Sequence, residues 1–322
     1  MYKQIKLLVF FVISLFIFNL NNLVLANKTQ DDSISYLQQA LEKTSFADNL
    51  SYNVDLSITS PLANGIVNID GKYSQPLNTS GKISFLFNSW IDTIKFEALA
   101  QYYTETQDNT LNKYFKIQTT PPLNELNSHQ WYYDSIILAD NINDIYTTQK
   151  NLNISKITKN ITNIFMYNSS NNTKKIYVTY KKPFFDEQAW QQVVSLYAKD
   201  ELKSKQLSQI NELLQTNPDL KNILTTPRKV TYIFTIDENT HYITNLNADF
   251  SDNIHELGTE ILDSIPDEEI SKTNAPVIRN TLKNYLNLSK INLNIKLTDI
   301  NSTNVDTISP EDKSNAIPAP EN

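Results

Sequence analysis

Polar and apolar residues alternate with period two over long stretches of this chain, the signature of strands with one buried face. Residues 51–60, SYNVDLSITS, put Tyr52, Val54, Leu56 and Ile58 on one side and Ser51, Asn53, Asp55, Ser57 and Thr59 on the other. The same alternation places Val67, Ile69 and Tyr73 together, with Gly71 between them as an expected bulge or bend. Further strands follow from Ile83, Phe85 and Phe87, from Ile94, Phe96, Ala98, Ala100 and Tyr102, and from Leu111, Phe115 and Ile117. Their connectors, residues 61–65, 75–81 and 106–110, are short and rich in turn formers. A parallel pair needs a crossover of a dozen or more residues, so these strands are expected to form an antiparallel meander. HQWYYD, residues 129–134, predicts one more short strand.

Helical spacing takes over elsewhere. Ile34, Leu37 and Leu41 predict a helix near the start, with Asp31 or Asp32 as its N-cap. Ile157, Ile161, Ile164 and Phe165 suggest a short helix before the polar turn NSSNNTK. After a strand at residues 175–180, the clearest helix begins near Asp186 and carries Trp190, Val193, Val194 and Tyr197 on one face. A second stretch, with Leu207, Ile210, Leu213 and Leu214, is expected to stop before Pro218. KVTYIFTID and HYITNLNADFS then read as a hairpin turning at residues 238–240. Two short helices, at 254–264 and 276–286, precede a final strand aligning Ile291, Leu293, Ile295 and Leu297. Roughly nine strands with helices grouped at the start, middle and end make an α+β pattern.

Composition narrows the setting. The 322 residues include no cysteine, which excludes disulfides, thiolate metal sites and lipid attachment through an N-terminal cysteine. Residues 1–26 have the parts of a signal peptide: Lys3 and Lys6, an apolar run from Leu7 to Leu20, and Val24-Leu25-Ala26 as a cleavage site. The alternative is an uncleaved anchor, since residues 7–26 approach the roughly 20 needed to span a bilayer. Either way the rest lies outside the cytoplasm, and the lack of cysteine favours a bacterial periplasm or cell surface. Residues 27–300 are then one domain, and 301–322, polar and ending NAIPAPEN, read as a disordered C-terminal tail. The net charge of −7 argues against nucleic acid as a partner. The densest basic run, residues 173–182 (TKKIYVTYKK), reads as a solvated strand face.

Chemistry is hard to find. His129, His241 and His255 lack metal-type spacing, and there is neither a glycine-rich phosphate loop nor a Gly-x-Ser-x-Gly elbow. The acidic stretch DSIPDEE, residues 263–269, lacks the spacing and glycine of a calcium loop and reads as solvated. No catalytic residue, metal or cofactor is expected. What remains is the aromatic-rich strand face, which either packs dry against the helices or leaves an apolar cavity.

The order of elements resembles the LolA/LolB-like lipoprotein carriers and the related LppX/LprG-type lipid-binding lipoproteins. The resemblance runs through SYNVDLSITS, GIVNIDGKYSQP, GKISFLF, KYFKIQTTPPLNELNSHQWYYD, the Trp190 helix and KVTYIFTIDENTHYITNLNADF. It implies an antiparallel half-barrel with helices packed across its concave face and an apolar cavity between them. Two features depart from it: the absent cysteine after the leader, and extra material at residues 140–173. The expected function is non-catalytic binding of a lipid or lipoprotein acyl chain, with contacts from Phe85, Phe87, Phe96, Tyr102, Phe115, Trp190 and Phe234. The alternative is a structural or interaction module with a dry core and an envelope protein as its partner.

Overall fold

The computed structural model describes residues 28–89, 95–107, 110–122, 127–137, 161–169, 172–183, 216, 218–271 and 273–320. Helix α1 (Lys28–Ser45) leads into five long strands, β1 (Asn49–Thr59), β2 (Ala63–Ser74), β3 (Asn78–Ser89), β4 (Lys95–Gln107) and β5 (Thr110–Thr120). Then come β6 (Tyr132–Ile137), β7 (Ile161–Asn168) and β8 (Thr173–Pro183), helix α2 (Pro218–Thr225), and the hairpin β9 (Pro227–Asp237) and β10 (Ile243–Asp249). Helices α3 (Ser251–Ser264), α4 (Asp267–Ile270) and α5 (Ala275–Asn287), strand β11 (Lys290–Thr298), helix α6 (Pro310–Ser314) and strand β12 (Ile317–Pro318) complete the chain.

All the strands form one open sheet in the order β12-β6-β5-β4-β3-β2-β1-β11-β10-β9-β8-β7. Every pairing is antiparallel except the two-residue β12–β6 contact. The expected α+β class and meander are therefore present, with β11 inserted between β1 and β10.

Register carries the apolar face across the whole sheet. One row of directly opposed residues runs Ile164, Val178, Tyr232, Ala248, Leu293, Leu56, Val67, Phe85, Ala98 and Thr119. At the β7–β11 end, α1 lies on this face with Leu37 and Ala40 fully buried against Ile164, Ile176, Val178, Phe234 and Ile236. The helix begins at Lys28, so Asp31 and Asp32 fall inside it rather than capping it. Thr44 anchors its far end: the Oγ1 hydroxyl donates to the Ala40 carbonyl and accepts from the Ile243 amide at 2.9 Å.

Helices α2, α3 and α5 form a separate group at the end of β9–β11. Arg228, on β9, is buried and donates to both carboxylate oxygens of Glu260 on α3, at 3.0 and 2.5 Å, and to the Ile223 carbonyl. Arg279 on α5 likewise donates to the Ile265 carbonyl and to Asp267. Both arginines of the chain thus act as clamps between elements.

Three further expectations are corrected. Residues 161–168 are a strand, not a helix. Their β-branched and aromatic residues pair with β8 through a turn closed by the Ser169 amide and Thr173 carbonyl. Pro218 opens helix α2, as a first-turn proline can without losing a hydrogen bond. Gly71 is no bulge, because its register with Tyr52 and Gly81 is unbroken. The tail is ordered: residues 299–320 cross the polar face of the sheet and end as β12. The Asp306 amide donates to Ser80, Lys72 pairs with Asp306, and Ile308 is buried with Tyr114 and Trp131. The leader and the predicted helices around Trp190 and Leu207 lie outside the described residues. No helix among those residues is long and apolar enough to cross a membrane.

Candidate functional site

On β1–β5 the apolar face is covered less completely than on β7–β11. Val54, Leu56, Val67, Ile69, Ile83, Phe85, Phe87, Phe115 and Ile117 are all half-buried, whereas Ile176, Val178 and Ile236 are wholly enclosed. Facing pairs on the open half are small against large: Ala98 stands opposite Phe85 and Ala100 opposite Ile83. Small residues beside aromatics leave relief in the face.

Six of the seven expected contact residues share this face by register. Phe85, Phe87, Phe96, Tyr102 and Phe115 lie together on β3, β4 and β5. Phe87 pairs with Phe96, Tyr102 pairs with Phe115, and the Phe85 and Phe96 rings are 5.9 Å apart. Phe115 in turn stacks on Tyr132 at 5.7 Å. Phe234 is on the same face but 2% exposed, locked in the core beneath α1, so it belongs to the closed half. Trp190 lies outside the described residues.

The sequence reading missed one feature of the open half. Across β1, β2, β3 and β4 the register aligns Tyr52, Gly71, Gly81 and Tyr102. With no side chain on the middle two strands, the tyrosines reach toward each other until their hydroxyls meet at 2.5 Å. A Cβ at Gly71 would sit 2.5 Å from Tyr52 Cζ, and one at Gly81 would sit 2.6 Å from the Tyr102 hydroxyl. The signal was two glycines, among only four in the chain, inside strands of matching parity. Burial raises both phenols above the ordinary tyrosine range, and Tyr52 reinforces the shift at Tyr102. Both stay neutral at physiological pH.

The face is graded along the strands. Val54 to Ile58 and their neighbours are apolar, followed by the tyrosine–glycine row. Beyond it comes a polar row in which the Thr79 and Thr104 hydroxyls meet at 2.8 Å and Lys113 pairs with Asp134.

A concavity of about 450 Å³ lies between α3, α5 and β11 and is lined by Asp249, Ser251, Asp252, His255, Ser289 and Asn292, among others. It does not assemble a nucleophile and base. Ser251 donates to Asp249 and accepts from the Ile291 amide, while His255 Nε2 is held by the Ser289 carbonyl at 2.7 Å. His241 is spent on Tyr36, at 3.2 Å. Of the acidic stretch, Asp263 pairs with Lys283 and Asp267 with Arg279. Among the described residues no group of three or more potential ligands converges on a metal position.

Fold and face together define an α+β protein built on one large, open, mostly antiparallel sheet with a single apolar side. It is similar in structure to the lipoprotein LppX of Mycobacterium tuberculosis, at 10% identity and a TM-score of 0.33, over 86% of this chain and 99% of that one. LprF from Mycobacterium bovis is similar at the same identity and TM-score, over 87% of this chain and 97% of that one. No protein-family model and no curated protein matches the chain. The likeness is one of layout, so what this face can do follows from its own residues.

Proposed function

We propose that this is an extracytoplasmic, non-catalytic protein that binds an apolar ligand, a lipid or acyl chain, on the β1–β5 half of its apolar face. The observation that carries the reading is the contrast within one face: enclosed under α1, and half-buried and sculpted over β1–β5 except at Phe96 and Leu111. Leaving large side chains part-exposed forgoes a fraction of the roughly 1.5–3 kcal/mol that full burial of each one gives. A ligand with its own apolar surface recovers that energy. Curvature of the sheet into a half-barrel, with helices over its concave side, would make the face a pocket; the leader would direct the chain out of the cytoplasm.

Native mass spectrometry of the full chain, exported by a bacterial host and compared before and after organic extraction, tests this. A discrete extra mass lost on extraction and identified as a lipid is expected. Ala98→Trp, which fills the relief opposite Phe85, is expected to reduce lipid occupancy while the fold persists. A clean apoprotein that also refuses a fluorescent fatty acid would sink the proposal.

One observation favours a second reading, a protein-interaction module. On the opposite, polar face, Phe165 stacks on Tyr177 at 4.7 Å and Tyr167 on Tyr177 at 5.5 Å, with Phe165 50% exposed. An envelope protein partner would cover this stack. Phe165→Ser with Tyr167→Ser should then abolish a site-specific crosslink formed in the envelope from position 163, without changing lipid content.

A further inference from the structure

We infer that the Tyr52–Tyr102 pair is the polar anchor of this site, and that its ligand is an acyl lipid with a carbonyl-type acceptor (a carboxylic acid, ester or amide) where tail meets head. The inference rests on the reading that the open half of the face binds an apolar ligand. It follows from counting donors. Each phenol has one O–H, and a single contact between two hydroxyls uses only one of them. The second O–H is not used in that contact.

That donor is set at the border between the apolar and polar rows of the face. The rings lie over Gly71 and Gly81, so no side chain of β2 or β3 separates the hydroxyls from the face. On one side along the strands stand Val54, Ile69 and Ile83, Phe115 pairs with Tyr102 in the same row, and on the other side stand Tyr73, Thr79 and Thr104. Since burial keeps both phenols protonated, the pair is a donor across the physiological range. A donor in such a place gains from a carbonyl oxygen and gains nothing from a hydrocarbon.

The grading of the face orients the ligand. Toward Ile58 the rows are apolar, and toward Thr79, Thr104 and the Lys113–Asp134 pair they are polar. A tail would lie along Val54–Ile58, with the carbonyl at the tyrosines and the head against the threonines. From Tyr52 to Ile58 a strand runs about 20 Å at ~3.3 Å per residue. Half of a ~30 Å bilayer core is shorter, about 15 Å, so one membrane-length tail fits the apolar rows.

The test uses two fluorescent probes titrated into the full chain: anthroyloxy-stearic acid, which has a carboxyl group at one end, and diphenylhexatriene, which has no carbonyl. The Tyr52→Phe/Tyr102→Phe double variant keeps both rings and removes both donors. We expect it to lose about 3- to 10-fold in affinity for the acid and to keep its affinity for the hydrocarbon. Each single variant retains one hydroxyl and is expected to change the acid's affinity less than twofold. Unchanged affinity of the double variant for both probes overturns the anchor and leaves the lipid-binding reading standing. Failure of the unmodified chain to bind either probe overturns that reading itself. Should the double variant not fold, infrared spectroscopy of an isotope-labelled methyl palmitate bound to the unmodified chain decides. A carbonyl stretch lowered by hydrogen bonding is expected, and a stretch at its hydrocarbon-solvent position overturns the anchor.

Discussion

Gly81 shows how much one missing side chain can determine. A Cβ there would lie 2.3 Å from the Asp70 carbonyl oxygen and 2.8 Å from the Gly71 Cα, both backbone atoms that cannot swing aside. Gly81→Ala should therefore cost about 1–3 kcal/mol, as overpacking does, read from the urea midpoint. Gly71→Ala meets only the far ends of the Tyr52 and Tyr102 side chains, so it should cost less while separating the two hydroxyls. The tyrosines make a second prediction. Burial raises the phenols of Tyr52, Tyr102, Tyr180 and Tyr232 above the ordinary value of 10.0. Above pH 10 the unfolded chain releases these protons first, so their stabilising contribution is complete below that pH and lost as pH rises further. Thermal melts from pH 8 to 11 should fall above pH 10, and less steeply in the Tyr52→Phe/Tyr102→Phe variant. In the sequence the residues of the open half were legible, because parity alone assigns Phe85, Phe96 and Tyr102 to one face. Their meeting with Tyr52 was not, because it depends on register across four strands.

Among the described residues, elements with a clean period were read correctly, and those with a mixed one were not. The β9–β10 hairpin, α3, α5 and β11 follow from their patterns almost residue for residue. Strand β7 did not, because Ile161, Ile164 and Phe165 match helical spacing over a segment too short to arbitrate. Pairing with β8 decided it, and pairing is a tertiary fact. The helical group on α3 depends on a similar fact, the Arg228–Glu260 bridge. Arg228 has a side chain only 4% exposed, while Glu260 is 43% exposed and partly screened by solvent. Replacing Arg228 by Met should cost about 1.5–3 kcal/mol, the usual worth of hydrogen bonds to a charged group, as measured by denaturant unfolding. The hydrogen bonds from Arg228 hold the Glu260 carboxyl below its ordinary range near 4.5. The bridge's contribution is therefore present above that pH and lost as pH falls through the folded-state value. A shallower acid limb in the Met variant would confirm the assignment.

At the scale of the molecule, the segment that reads as a tail is a strap. It follows one row of the sheet's polar face, passing Ser51, Lys72, Ser80 and Tyr114 in turn, and then covers the β6 edge. Polar composition made it look disordered, but polar residues are what crossing a polar face requires. Ile308 is its one buried apolar contact with Tyr114 and Trp131, so Ile308→Ala should cost about 2–5 kcal/mol in chemical denaturation. Deleting residues 301–320 should uncover the β6 edge and produce dimers or aggregates in light scattering. The placing of β11 has a further consequence, in time rather than in space. Strand β1 finds its second neighbour only after the whole hairpin and helical group have been made, and Asp48 bonds Asn301 across 253 positions. Folds closed by such distant partners form slowly. While it is being synthesised the chain thus holds an incomplete sheet, with one side of β1 bare, and cannot lock. Under the proposed export, that delay would keep the chain loose until it has crossed the membrane.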